Sequence, residues 1–155
     1  MATTHHSRPG RATAATHHLA VLKPYHLRLI LEGLKDIECR LSFQQAPSDD
    51  WVRVGDVLWL KDAGGPVRAV VEVVRVRTIH RPGPRGVRRL RRDFGPRIWA
   101  EQALYERMTH CGRVTLLWLG QPSGFEPFWV RKSDRRSWVV LDGPLSPNQQ
   151  IASGL

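Results

Sequence analysis

Residues 67–77, VRAVVEVVRVR, form a long run of strand-forming residues whose phase changes partway along. Val67, Ala69, Val71 and Val73 share one face of a two-residue repeat, and the next apolar residues, Val74 and Val76, fall in the opposite phase. A one-residue shift inside a strand reads as a β-bulge, and a bulge bends the strand that carries it. A sheet built on this strand is expected to curl toward a barrel rather than lie flat.

The flanking pattern agrees with a mixed sheet. LAVLK (19–23) reads as a strand, and Pro24 after it suits the first turn of a helix. Leu27, Ile30 and Leu31 then fall at helical spacing, and Gly33 is placed to end the helix in the left-handed conformation. In KDIECRL, Ile37, Cys39 and Leu41 alternate with Asp36, Glu38 and Arg40, giving a half-buried strand with a charged face. VLWL, VTLLWLG (114–120), FEPFWV (125–130) and WVVL (138–141) read as further strands, and residues 97–108 as a second helix. Residues 81–92, RPGPRGVRRLRR, contain two prolines and two glycines and read as an inserted loop. The fold class is α+β: a small barrel-like mixed sheet of about six strands with two helices. The 155 residues suit one domain. It is expected over 19–142, between a disordered tail at 1–18 and a C-terminal tail at 143–155.

The formal net charge of +10 is unevenly placed. Six arginines and no acid lie in 81–92, and Arg8 and Arg11 lie in the N-terminal tail, so the rest of the chain has a surplus of only two. That clustering is the footprint of a polyanion-binding segment. It competes with simple compositional bias, since the chain holds 20 Arg against 4 Lys. No apolar run approaches membrane-spanning length, and the first eighteen residues lack the apolar stretch of a secretory signal. Cys39 and Cys111 stand alone, without C-x-x-C spacing, which fits a reducing compartment and a cytoplasmic, intracellular location. No metal-ligand cluster, phosphate-binding loop or nucleophile elbow is visible, so neither a metal nor a cofactor is expected.

The spacing Gly33-x-Lys35-x-x-Glu38-x-Arg40 directly follows the strand–Pro–helix unit LAVLKPYHLRLILEG, and Gly55-Asp56 introduces a later strand. This combination resembles the ASCH family, a branch of the PUA-like β-barrels. The resemblance covers residues 19–77 well and the remainder only in strand order. It implies a PUA-like barrel with a cleft beside the first helix, lined by the motif's charged residues and regarded as an RNA or nucleotide site. It also implies a competing activity, because a bacterial branch hydrolyses the amide of N4-acylated cytidines and some members are reported to cut RNA. The hydrolase branch carries a threonine three residues after the lysine, where this chain has Glu38. That departure favours binding over hydrolysis.

Read without the family, a lysine neutralises phosphate as a point charge. A carboxylate accepts from a base's exocyclic amine. An arginine grips phosphate or stacks on a base. The competing bland reading makes Asp36, Glu38 and Arg40 a solvated strand face. Strict alternation sets Lys35 opposite Glu38, so convergence requires the chain to rotate after Gly33. Tyr25 and His26, which open the first helix, are candidates to stack on a base. Arg85, Arg88, Arg89, Arg91 and Arg92 are candidates for phosphate contacts along a single strand. Glu72, among valines, is a third catalytic candidate beside Lys35 and Glu38, provided that it is buried. Two readings stand: a monomeric module that binds RNA or a nucleotide, and a small nucleoside amidohydrolase.

Overall fold

The computed structural model describes residues 14–43 and 51–153. Its organising strand is β4 (Val67–His80), fourteen residues long. Along one edge β4 pairs antiparallel with β3 (Val57–Asp62). Along the other it pairs with β6 (Ser123–Phe128) over Val67–Val70 and with β5 (Arg113–Leu119) from Val73 onward. The β4–β5 register slips between Val73 and Arg75, where the sequence changes phase. The bulge lets the buried face switch sides as β4 bends from one half of the sheet into the other.

The strand order is β2-β5-β4-β3-β1-β7, with β6 beside β4, so the sheet curls into a half-barrel of seven strands. β1 (His17–Leu22) is parallel to β3 and antiparallel to β7 (Trp138–Leu141), and β2 (Ile37–Ser42) is the edge strand beside β5. This is the curled α+β architecture that the strand pattern predicts, with three helices among the described residues rather than two. No helix among the described residues is long and apolar enough to cross a membrane.

α1 (Pro24–Leu31) covers the barrel interior with Leu27 and Ile30, packed on Leu58, Leu60, Val71 and Leu117. Leu29 is also buried, whereas Leu31, expected on the apolar stripe, is 41% exposed. Gly33 ends the unit at φ 77°, the left-handed turn that its position predicts.

The Arg-rich segment is helical, not a loop: α2 runs Gly83–Ile98. Pro84 lies in the first turn, where proline's missing N–H costs nothing. Val87, Leu90, Phe94 and Ile98 then repeat at helical spacing and pack on Ile37, Val114, Leu116 and Trp118. The helix expected over 97–108 is broken. Trp99 takes a left-handed φ of 59° and closes α2, and α3 begins afresh as Gln102–Met108. β1 starts at His17, two residues before the expected strand, and Leu145 and Ile151 are buried against Leu19 and Val67. The chain after 142 is therefore packed on the domain as far as Ile151. Residues 1–13 of the expected disordered tail lie outside the described residues.

Candidate functional site: a charged cleft between β2, α1 and the α2–α3 junction

A cavity of ≈ 440 Å³ opens beside α1, lined by Lys23, His26, Lys35, Glu38 and Arg40 with Ile98, Glu101 and Arg107 across from them. This volume is in the range of small-ligand sites. The glycine-permitted turn resolves the alternation problem. After Gly33, the N–H groups of both Leu34 and Lys35 return to the carbonyl of Leu29. The chain rotates there, and Lys35 joins Glu38 and Arg40 on the cavity side.

Lys35 is only 3% exposed. Its Nζ donates to the carbonyl oxygen of Ile98 at 2.5 Å and to that of Ile37 at 2.9 Å. Ile98 is the last residue of α2, so the ammonium caps a helix C-terminus where carbonyls lack intrahelical partners and the dipole end is negative. An ammonium has three protons, and two are committed here, which leaves one for the cavity.

Glu38 is 8% exposed. Its Oε1 accepts from the Cys39 N–H at 3.0 Å and lies 3.9 Å from Arg40 Nε. Its Oε2 is buried and has no hydrogen-bond partner. Burial pushes the carboxyl upward, but Lys35, Arg40, the Cys39 N–H and His26 together outweigh it and hold the group below its ordinary value. The carboxylate is therefore ionised at neutral pH, with one oxygen unused.

Arg40 is pinned. Nη1 donates to the Ser137 hydroxyl at 3.1 Å, Nη2 reaches the Val21 carbonyl at 3.4 Å, and the guanidinium lies 5.0 Å from the centroid of the Trp138 ring. Trp138 is fixed in turn. Its indole N–H donates to His18 Nδ1 at 3.1 Å, so the His18 proton sits on Nε2 and is donated to Asp56 at 2.8 Å. Arg40 Nε is buried without a hydrogen-bond partner and lies 3.9 Å from Glu38 Oε1, so the guanidinium also balances the Glu38 charge.

His26, half-buried on α1, completes the group. Burial lowers its pKa from 6.5, as do Lys35 and Lys23, against the opposing pull of Glu38 and Glu101. At the mouth, Lys23 and Glu101 pair at 2.9 Å across the cleft.

Other sequence candidates lie elsewhere. Tyr25 is 48% exposed, stacks against Arg28 and does not line the cavity. Glu72 is exposed on the outer face of β4, which removes the burial its catalytic role required. Asp36 leaves the charged set and pairs through both oxygens with Arg97, at 2.8 and 2.7 Å. Arg85, Arg88, Arg89, Arg91 and Arg92 are exposed on α2, and none lines the cavity. Arg91 bonds Gln102 and lies over Tyr105, and Arg92 pairs with Asp93. Among the described residues, Arg85, Arg88 and Arg89 pair with no acid. No sequence pattern marks Lys23, Glu101 or Arg107, which the junction before α1, the N-cap of α3 and the last turn of α3 bring to the cleft. Trp138 was visible in the sequence only as the first residue of the strand WVVL.

No protein-family model and no curated protein matches the chain. Among solved structures, the fold is similar to that of ASCH from Zymomonas mobilis. That likeness has a TM-score of 0.62 at 14% identity and covers 81% of this chain and 87% of the other. A Tyr-to-Phe variant of that protein gives 0.61 at 14% identity, over 81% and 89% of the two chains. A Ser-to-Ala variant gives 0.60 at 13% identity, over 81% and 87%. The chain thus has a small curled α+β barrel, and its fold is that of an ASCH domain.

Proposed function

We propose that this chain is an RNA- or nucleotide-binding module that holds a base in the cleft at Lys35, Glu38, Arg40 and His26. The observation that carries the reading is Glu38: a buried, ionised carboxylate among the residues that line the cavity, whose Oε2 has no hydrogen-bond partner. Buried polar atoms are nearly always partnered, and an unpaired one costs about 1–3 kcal/mol. A donor carried in by a ligand, such as the exocyclic amine of a base, removes that cost on binding. The remaining proton of Lys35 and the imidazole of His26 supply further polar contacts, while Leu22, Leu41 and Ile98 provide apolar walls. The arginines of α2 add sequence-independent attraction for the backbone.

The test begins by sequencing any nucleic acid that copurifies, together with mass spectrometry for small nucleosides. The identified ligand is then titrated against Glu38→Gln. An affinity loss of about 1–3 kcal/mol with the fold intact is expected; unchanged affinity removes Glu38 from the site. Hydrolysis separates the competing reading. With a carboxylate where the hydrolase branch has threonine, no turnover of N4-acetylcytidine above a Lys35→Ala control is expected, and clear turnover would make the chain an amidohydrolase.

A further inference from the structure

We propose that the ligand is a single strand of RNA rather than a free mononucleotide, with one base in the cleft and the next stacked on Phe43 at its mouth. This inference rests on the nucleotide-binding reading of the cleft and extends the site beyond it.

Phe43 directly follows Ser42, the last residue of β2, the strand whose Glu38, Arg40 and Leu41 line the cavity. Three residues of extended chain carry it about 10 Å beyond Arg40. Its ring is 51% exposed. A lone exposed apolar side chain needs no explanation, but this one has a particular neighbour. Arg107, on α3, lines the cavity and sets its guanidinium 5.4 Å from the centroid of the Phe43 ring. One side chain thus belongs both to the cavity wall and to the platform outside it.

The charges divide in the same way. Lys35 and Arg40 are committed inside, and Lys23 is paired with Glu101. Among the described residues, Arg107 pairs with no carboxylate, so it is the lining cation available to the phosphate that joins an inner base to an outer one. An exposed aromatic ring beside a cation that no carboxylate neutralises is the combination that holds successive nucleotides of a single strand. Stacking tolerates every base, whereas Glu38 Oε2 selects for a hydrogen-bond donor. Sequence preference should therefore reside in the inner base alone.

The probes are the ribonucleoside 5′-monophosphates, the corresponding 5′-phosphorylated dinucleotides, and dinucleotides whose outer position is abasic. Affinities are measured calorimetrically on the full chain. We expect the best dinucleotide to bind about tenfold or more tighter than its inner mononucleotide, the weight of one stacked base. The abasic form, with the same phosphates, should lose that gain. Phe43→Ala should bring the dinucleotide down to the abasic level and leave the mononucleotide unchanged, while Phe43→Trp should preserve the gain. A melting curve confirms that each variant folds. Equal affinity of dinucleotide and abasic form, or a Phe43→Ala variant that binds the dinucleotide as wild type does, overturns the platform. Glu38→Gln reports separately on the parent reading: mononucleotide binding indifferent to that change removes the inner site while the Phe43 comparison still stands to be read. If no probe binds, both readings fall.

Discussion

Lys35 and Arg40 are each held by two or more hydrogen bonds to backbone or side-chain oxygens, whereas Arg85, Arg88 and Arg89 on the outer face of α2 have no acidic partner among the described residues. Both regions are basic, and in the sequence they differ only in density. Their physics differs in kind. The cleft cations are desolvated, fixed and matched to a buried carboxylate, so they define a geometry. The helix arginines are hydrated and free to rotate, so they supply a field that ions screen within about 10 Å at ordinary salt. The first arrangement selects a ligand, and the second raises the rate and strength with which a polyanion arrives.

Removing one fixed charge and one free one separates the two regions by stability. Lys35→Met strands the Ile37 and Ile98 carbonyls and leaves Glu38 without the cation that most lowers its pKa. Removing a buried cation that two carbonyls and a nearby buried carboxylate depend on costs about 3–5 kcal/mol. We expect a loss of that size in urea unfolding, partly recovered when Glu38→Gln is added. This departs from the expectation that follows from the motif alone, in which a lysine serves the ligand and its loss leaves stability untouched. Arg89→Met should stay within about 0.5 kcal/mol of wild type, as exposed substitutions do. If the two variants unfold alike, Lys35 is not a structural cap and the contrast collapses.

The exposed arginines of α2 are next in size, and their effect appears in salt dependence rather than in stability; of Arg85, Arg88, Arg89 and Arg92, only Arg92 pairs with a neighbouring acid among the described residues. If four of them contact phosphates of one strand, log K should fall with log salt at a slope of about −2.8. Replacing Arg85, Arg88, Arg89 and Arg92 with glutamine should flatten that slope and leave the preference for one base over another intact. A slope that survives the four substitutions places the phosphate contacts elsewhere.

What was legible in the sequence followed from periodicity and from glycine. The phase change at Val73 and Val74 located the bulge, and Gly33 marked the turn that brings Lys35 round to Glu38. The Arg-rich helix was missed because two prolines and two glycines within 81–92 masked the stripe of Val87, Leu90, Phe94 and Ile98 that packs on the sheet. Burial outweighed composition there. The break at Trp99 had no local signal, since a left-handed tryptophan is tolerated only where tertiary contacts hold it, here its indole N–H on the Leu34 carbonyl at 2.9 Å. The motif residues named the cleft, but the roles of Lys35 as a helix cap and of Arg40 as a pinned counter-charge depend on Ile98, Ser137 and Trp138. Those partners are distant in sequence, and no local pattern reveals them.

The smallest expected effect refines the boundary between the two regions. His26 sits where the cleft meets α1, half-buried, and its pKa is lowered from 6.5, first by burial and next by Lys35. A base with a depressed folded value stays neutral in the native chain while the unfolded chain takes up a proton. Stability is therefore unaffected above 6.5, falls as pH drops through 6.5, and stops falling once pH passes below the folded value and both states are protonated. His26→Gln keeps a polar side chain and does not titrate. The difference in melting temperature between wild type and this variant should be constant above 6.5 and should move in favour of glutamine as the solution is acidified below it. A shift in favour of histidine would mean that the folded protein welcomes the imidazolium. The carboxylates Glu38 and Glu101 would then outweigh burial and Lys35, and the cleft would be tuned for a cationic ligand rather than for a nucleotide.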